Sequence, residues 1–158
     1  MSKNRLLKSY CKIAQIHASR LQESLEKIEL IMPEKSVHLD LEALEIVVAE
    51  NWILMDAMST RFGKLQDMIG SKVFFLLLDI LGESQKTLLD SLYKLEKLEY
   101  IISPEWWMNL RELRNEFTHD YPEEPGEIAP RIHDIILKSK ELLVFWNEFN
   151  VKIKQYMA

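Results

Sequence analysis

Apolar residues recur at steps of three and four along most of the chain, a spacing that predicts helices rather than strands. Leu7, Tyr10, Ala14, His17, Leu21, Ile28 and Ile31 mark one stripe on a first helix from about Asn4 to Met32, where Pro33 stops it. Ser24 interrupts that series. Asp40 is placed to cap the next helix, and the pattern from Leu41 to Leu81 is helical almost throughout. Unbroken, that segment would be roughly 60 Å long. Gly63 and Gly70 weaken it, which predicts a kink or short break between them. The run from Val73 to Leu78 is too apolar for a free surface and predicts central core, or a face partly covered by a second subunit.

Gly82 ends this segment, and Ser84 begins a third helix with Leu88, Leu92, Leu95 and Ile102 on one face. Ser103-Pro104-Glu105 opens a fourth helix: a Ser cap, Pro at the first position and an acid at the positive dipole end. It should stop near Asp120, because Pro122 disfavours helical geometry at Tyr121. A fifth helix carries Ile128, Ile132, Ile135, Leu142, Trp146, Phe149, Ile153 and Tyr156 in register, broken only by Ser139. No linker or repeat divides the 158 residues. The expected architecture is one all-α domain over 1–158, an up-and-down bundle of about five helices.

Four glycines and five prolines leave little of the chain for tight turns, which argues against a sandwich or barrel. The single cysteine, Cys11, excludes an internal disulfide and fits a reducing compartment. No apolar stretch approaches the roughly 20 residues that span a bilayer, and no signal peptide is legible. A cytoplasmic protein without membrane contact is expected. The net charge of −5 argues against a broad nucleic-acid surface, so any such contact must be local, through a few arginines.

Candidate chemistry lies in the fourth helix. At 100° steps, Trp106, Leu110, Leu113 and Phe117 fall within about 40° of one another and predict its buried face, with Asn115 opposite. Arg114 and His119 flank Asn115, about 140° apart on an ideal helix. They converge only if the helix ends at His119 or a symmetry mate supplies one of them.

The segment Arg114-Asn115-Glu116-Phe117-Thr118-His119 resembles the Arg, polar, three residues, His signature of the HEPN family (higher eukaryotes and prokaryotes nucleotide-binding domains). Asp120 and Tyr121 extend it to the R-x-x-x-x-H-x-Y form of HepT-like toxins. The motif covers eight residues; elsewhere the likeness is one of architecture alone. The resemblance implies a homodimeric, metal-independent endoribonuclease with no cofactor, its two motifs facing one another across a cleft. It implies His119 as general base or acid and Arg114 as the phosphate-stabilising cation, with Asn115 in support. It also implies a partner nucleotidyltransferase antitoxin that adenylylates Tyr121. Some relatives are noncatalytic partners of nucleotidyltransferases, which is the competing reading; a plain helical scaffold is a third. The helix C-terminus and Asp120 both favour the charged imidazolium at His119.

Other residues admit plainer readings. His17 is expected to be a hydrogen-bonded core histidine, Cys11 an inert core thiol, and His38 and His133 lack paired ligands, so no metal site is predicted. Packing is expected for both Trp106 and Trp107, with Trp106 in the core and Trp107 open to a dimer or base-stacking contact. Arg61, Lys64 and Asp67 read as a charged helix face, or as neighbours of the motif; the sequence leaves both open.

Overall fold

The computed structural model describes residues 1–32, 41–83, 85–119 and 124–157, the side chains of Thr118, His119 and Pro125 excepted. Asp40, Ser84, Asp120, Tyr121 and Pro122 lie outside the described residues, as do Pro33 and His38. Among the described residues there is no strand, and the helices are α1 (Lys3–Ile31), α2 (Leu41–Glu50), α3 (Trp52–Met68), α4 (Phe74–Ile80), α5 (Leu88–Lys97), α6 (Pro104–His119) and α7 (Pro125–Lys152). A π-helical turn, Ile69–Val73, joins α3 to α4 without a gap, so the described chain forms six rods.

Four side-chain contacts set the rod directions. Arg61 on α3 meets His17 on α1, and Lys3 meets Asp79. Trp146 on α7 donates to Gln15 Oε1 on α1. Trp106 on α6 donates to Glu141 on α7. Each pairing runs low number against high, so α1 and α6 point one way and α3–α4 and α7 the other. This is an antiparallel bundle with α3 packed between α1 and α6.

The buried face of α1 is Leu7, Cys11, Ala14, Ala18, Leu21, Leu25 and Ile28. Tyr10 and His17, expected in the stripe, are only half-buried. Each stands three residues on from a member of the buried series Leu7, Ala14, Leu21 and Ile28, about 60° round the helix, at the edge of the buried arc. Ser24 is still buried, its hydroxyl donating to the Arg20 carbonyl at 3.0 Å. Cys11 is buried as expected, and burial pushes its thiol up to about 12.

The expected break between Gly63 and Gly70 is displaced. Gly63 lies inside regular helix; one break falls at Asn51, between α2 and α3, and the other is the π-turn that begins at Ile69 and includes Gly70. At Asn51 the Val47 carbonyl accepts twice, from the backbone N–H at 3.0 Å and from the side-chain Nδ2 at 2.9 Å. In the run Val73 to Leu78, Val73, Phe74, Leu77 and Leu78 are fully buried, and Phe75 and Leu76 half-buried.

The third expected helix starts at Leu88, where Thr87 Oγ1 accepts from the Asp90 amide at 3.1 Å. It ends before Ile102 because Glu99 turns left-handed, φ 64°. The Tyr100 amide then bonds to the Leu95 carbonyl and the Glu99 amide to Glu96, a Schellman closure. Helical spacing from Leu88 therefore no longer applies at Ile102, which is 83% exposed, while Ile101 is buried. Ser103 caps α6 as expected, its Oγ accepting from the Trp106 amide at 3.1 Å. The expected series on α7 from Ile128 to Ile153 is buried throughout, and Ser139 with it.

Candidate functional site

α6 is wedged between α3–α4 and α7, so its buried arc is wider than one stripe. Trp107, Leu110 and Leu113 are buried, whereas Trp106 and Phe117 are half-buried. The two tryptophans exchange their expected roles. Trp107 turns toward α3–α4 and packs on Phe74 with ring centroids 4.6 Å apart. Trp106 turns toward α7 and meets Phe145 at 5.1 Å. Consecutive residues diverge by about 100°, so only Trp107 reaches Phe74, while both indoles touch Phe145, Trp107 at 5.9 Å.

Arg114 stands two turns beyond Trp107 and faces the same way, onto α3. Its Nη1 donates to Asp67 Oδ1 at 2.9 Å, and its Nη2 donates to Asn115 Oδ1 at 2.8 Å. Asn115 is half-buried rather than opposite the packed face, and it orients the guanidinium. Arg114 is 23% exposed against 60% for Asp67, so the pair sits at the rim of the bundle rather than in it. An exposed pair of this kind contributes at most about 1 kcal/mol to stability.

The guanidinium borders an open groove of about 800 Å³ between α3, α6 and α7. Trp52 stands at one end, with Asp56, Lys64 and Asp67 along the α3 side and Phe117 and Ile128 opposite. Two acids and two bases leave the groove nearly balanced in charge. Trp52 is 60% exposed there, a broad aromatic face beside polar groups. Sequence reasoning missed it, because an isolated Trp at a helix start carries no pattern. Of the three charged residues whose proximity to the motif was open, Asp67 touches Arg114, Lys64 shares its groove, and Arg61 turns away to His17.

α6 reaches His119 within the described residues. The His119 side chain, and Asp120 and Tyr121 entirely, lie outside the described residues. Arg114, Asn115 and the α6 terminus are thus brought to one rim. Glu116 leaves this rim, its carboxylate 4.0 Å from Arg131.

His17 is half-exposed rather than core, with Nδ1 3.2 Å from Arg61 Nη1. Partial burial, and then the positive charges of Arg61, Lys64 and Arg20, lower its pKa. Among the described residues no three His, Cys, Asp or Glu side chains gather as a metal-binding group. No helix among them is long and apolar enough to cross a membrane. Compared with protein-family models, curated proteins and solved structures, the chain has no match.

Proposed function

We propose that this chain is a HEPN-type, HepT-like endoribonuclease toxin, metal-independent and homodimeric, with Arg114 and His119 as its catalytic pair. The observation that carries the reading is Arg114 itself. Its guanidinium is oriented by Asn115 at the mouth of an 800 Å³ groove, on the helix that carries His119. A planar fork fixed in this way suits phosphate oxygens. The substrate's 2′-hydroxyl loses its proton to an imidazole, and the oxygen forms a new bond to phosphorus. The 5′-oxygen leaves with a proton given by the imidazole of the second copy, protonated beforehand, so that the first ring ends protonated and the second neutral. The products are a 2′,3′-cyclic phosphate and a 5′-hydroxyl end, and Arg114 stabilises the charge that builds on the phosphate between them. Tyr121 is the proposed site of adenylylation by a partner nucleotidyltransferase antitoxin; AMP there blocks the cleft by bulk and charge.

One observation favours a second reading, a noncatalytic module that partners a nucleotidyltransferase. Asp67 occupies the side of Arg114 where a phosphate would bind, and Asp56 lines the same groove. Expression of the chain beside Arg114→Ala and His119→Ala separates the two. Growth arrest and RNA cleavage in EDTA, lost in both variants by a hundredfold or more, support the nuclease. Identical behaviour of all three supports the binding module.

A further inference from the structure

α3 presents two polar faces. One lies in the Arg114 groove, from Asp56 through Gly63 to Asp67. The other meets α1, where Arg61 contacts His17. On a helical wheel Arg61 stands about 160° from Gly63, and Lys64 falls between them, roughly 60° from Arg61. Lys64 accordingly lines the groove and also acts electrostatically on His17. Arg20, one turn beyond His17 on α1, joins the same group.

Among the described residues, Arg20, Arg61 and Lys64 make no ion pair, although acids outnumber bases by 25 to 20 along the chain. The charges that act on His17 are all positive. Gathering cations costs free energy, and the cost is offset when an anion binds across them; Asp67, one turn from Lys64, stands only at the groove end of the group. Lys64 belongs both to this group and to the lining of the groove. The path from Arg114 on α6 over α3 to Arg20 on α1 crosses two interhelical steps of roughly 8–10 Å each. That is the reach of several linked phosphates rather than of one.

We infer that His17, Arg20, Arg61 and Lys64 form a second phosphate-binding strip, which tracks the backbone of single-stranded RNA away from the phosphate held at Arg114. The inference rests on the ribonuclease reading for its direction. An acidic partner protein is the competing ligand for such a strip. RNA is favoured because the cations lead into the Arg114 groove rather than standing apart from it.

The test is binding of a fluorescein-labelled, 2′-O-methyl single-stranded 12-mer, which cannot be cleaved by 2′-hydroxyl attack, to the full chain over a salt series. Arg20→Gln and Arg61→Gln together should weaken binding roughly tenfold and lower the slope of log K against log salt by about 1.4, two phosphates at about 0.7 each. Arg20→Gln alone changes an exposed side chain and should lower the slope by about 0.7. An unchanged affinity and slope in both variants overturns the strip. So does a loss seen only toward poly-glutamate, which assigns the cations to an acidic protein. Cleavage of an ordinary RNA by the unaltered chain is assayed separately. Absence of cleavage with a lowered slope removes the nuclease and leaves the strip; cleavage with an unchanged slope does the reverse.

Discussion

Arg114 lies across Gly63 so closely that a Cβ at Gly63 would meet its Cγ at 3.3 Å. Seven residues away on both helices the relationship repeats, with a Cβ at Gly70 falling 3.1 Å from the Trp107 ring. Two glycines on one rod therefore seat two large side chains of its antiparallel neighbour. One of those side chains is buried and the other borders the groove, so the same substitution has two different consequences.

Gly70→Ala should destabilise the fold by about 1–3 kcal/mol, because Trp107 is fully buried against Phe74 and has nowhere to move. Gly63→Ala should leave stability nearly unchanged. There the helix gains about 1 kcal/mol from alanine, which offsets displacement of a flexible, partly exposed arginine. That displacement should instead lower RNA cleavage or binding. Thermal unfolding of both variants beside an RNA assay checks the split; equal loss of stability at the two sites would contradict it.

Asp67→Asn removes the carboxylate that competes with phosphate for the Arg114 guanidinium. Stability should change by less than about 1 kcal/mol, since Asp67 is mostly exposed. RNA affinity should rise, most clearly at low salt where the competition is strongest. A fall in affinity measured by anisotropy would mean that Asp67 holds Arg114 in its working orientation.

Glu99 occupies a left-handed position that favours glycine, φ 64°, at the end of α5. Gly82 fills the equivalent place after α4, with φ 76° and the same pair of closing bonds. Glu99→Gly should therefore stabilise the protein by about 1 kcal/mol. For a chain of this length the midpoint should rise about 2–4 °C. Lys152 bonds to the Glu99 backbone carbonyl, so that contact survives the change.

His17 makes stability depend on pH. Partial burial and its cationic neighbours depress its pKa in the fold below the 6.5 of the free side chain. The unfolded chain then binds more protons than the folded one in that interval, and stability rises with pH across it. The contribution is complete above about pH 6.5 and is lost as pH falls toward the depressed value. His17→Gln should flatten this part of the profile of unfolding midpoint against pH while leaving the profile above pH 7 unaltered. An equal slope in both proteins would show that His17 does not carry it.

How much of this was legible beforehand differs from residue to residue. The Ser103 cap and the buried series on α7 follow from local chemistry, and the sequence announces them directly. The exchange of Trp106 and Trp107 was not legible. Both lie near the apolar side of α6, and which one is buried depends on where α3–α4 and α7 stand. At the Asn51 break a side-chain amide joins the backbone N–H on the Val47 carbonyl, a local bond that periodicity does not register.

For the candidate site the division is the same. Periodicity and capping, which are properties of neighbours in the chain, determined an all-helical protein, and a short motif resemblance drew attention to Arg114, Asn115 and His119. Only the packing of α3 against α6 decided that Asp67 and Gly63 meet Arg114, that Lys64 shares its groove, and that Arg61 looks the other way. Those contacts join residues about fifty positions apart. Their identity rests on the rotation of one helix about its axis, which no local pattern encodes.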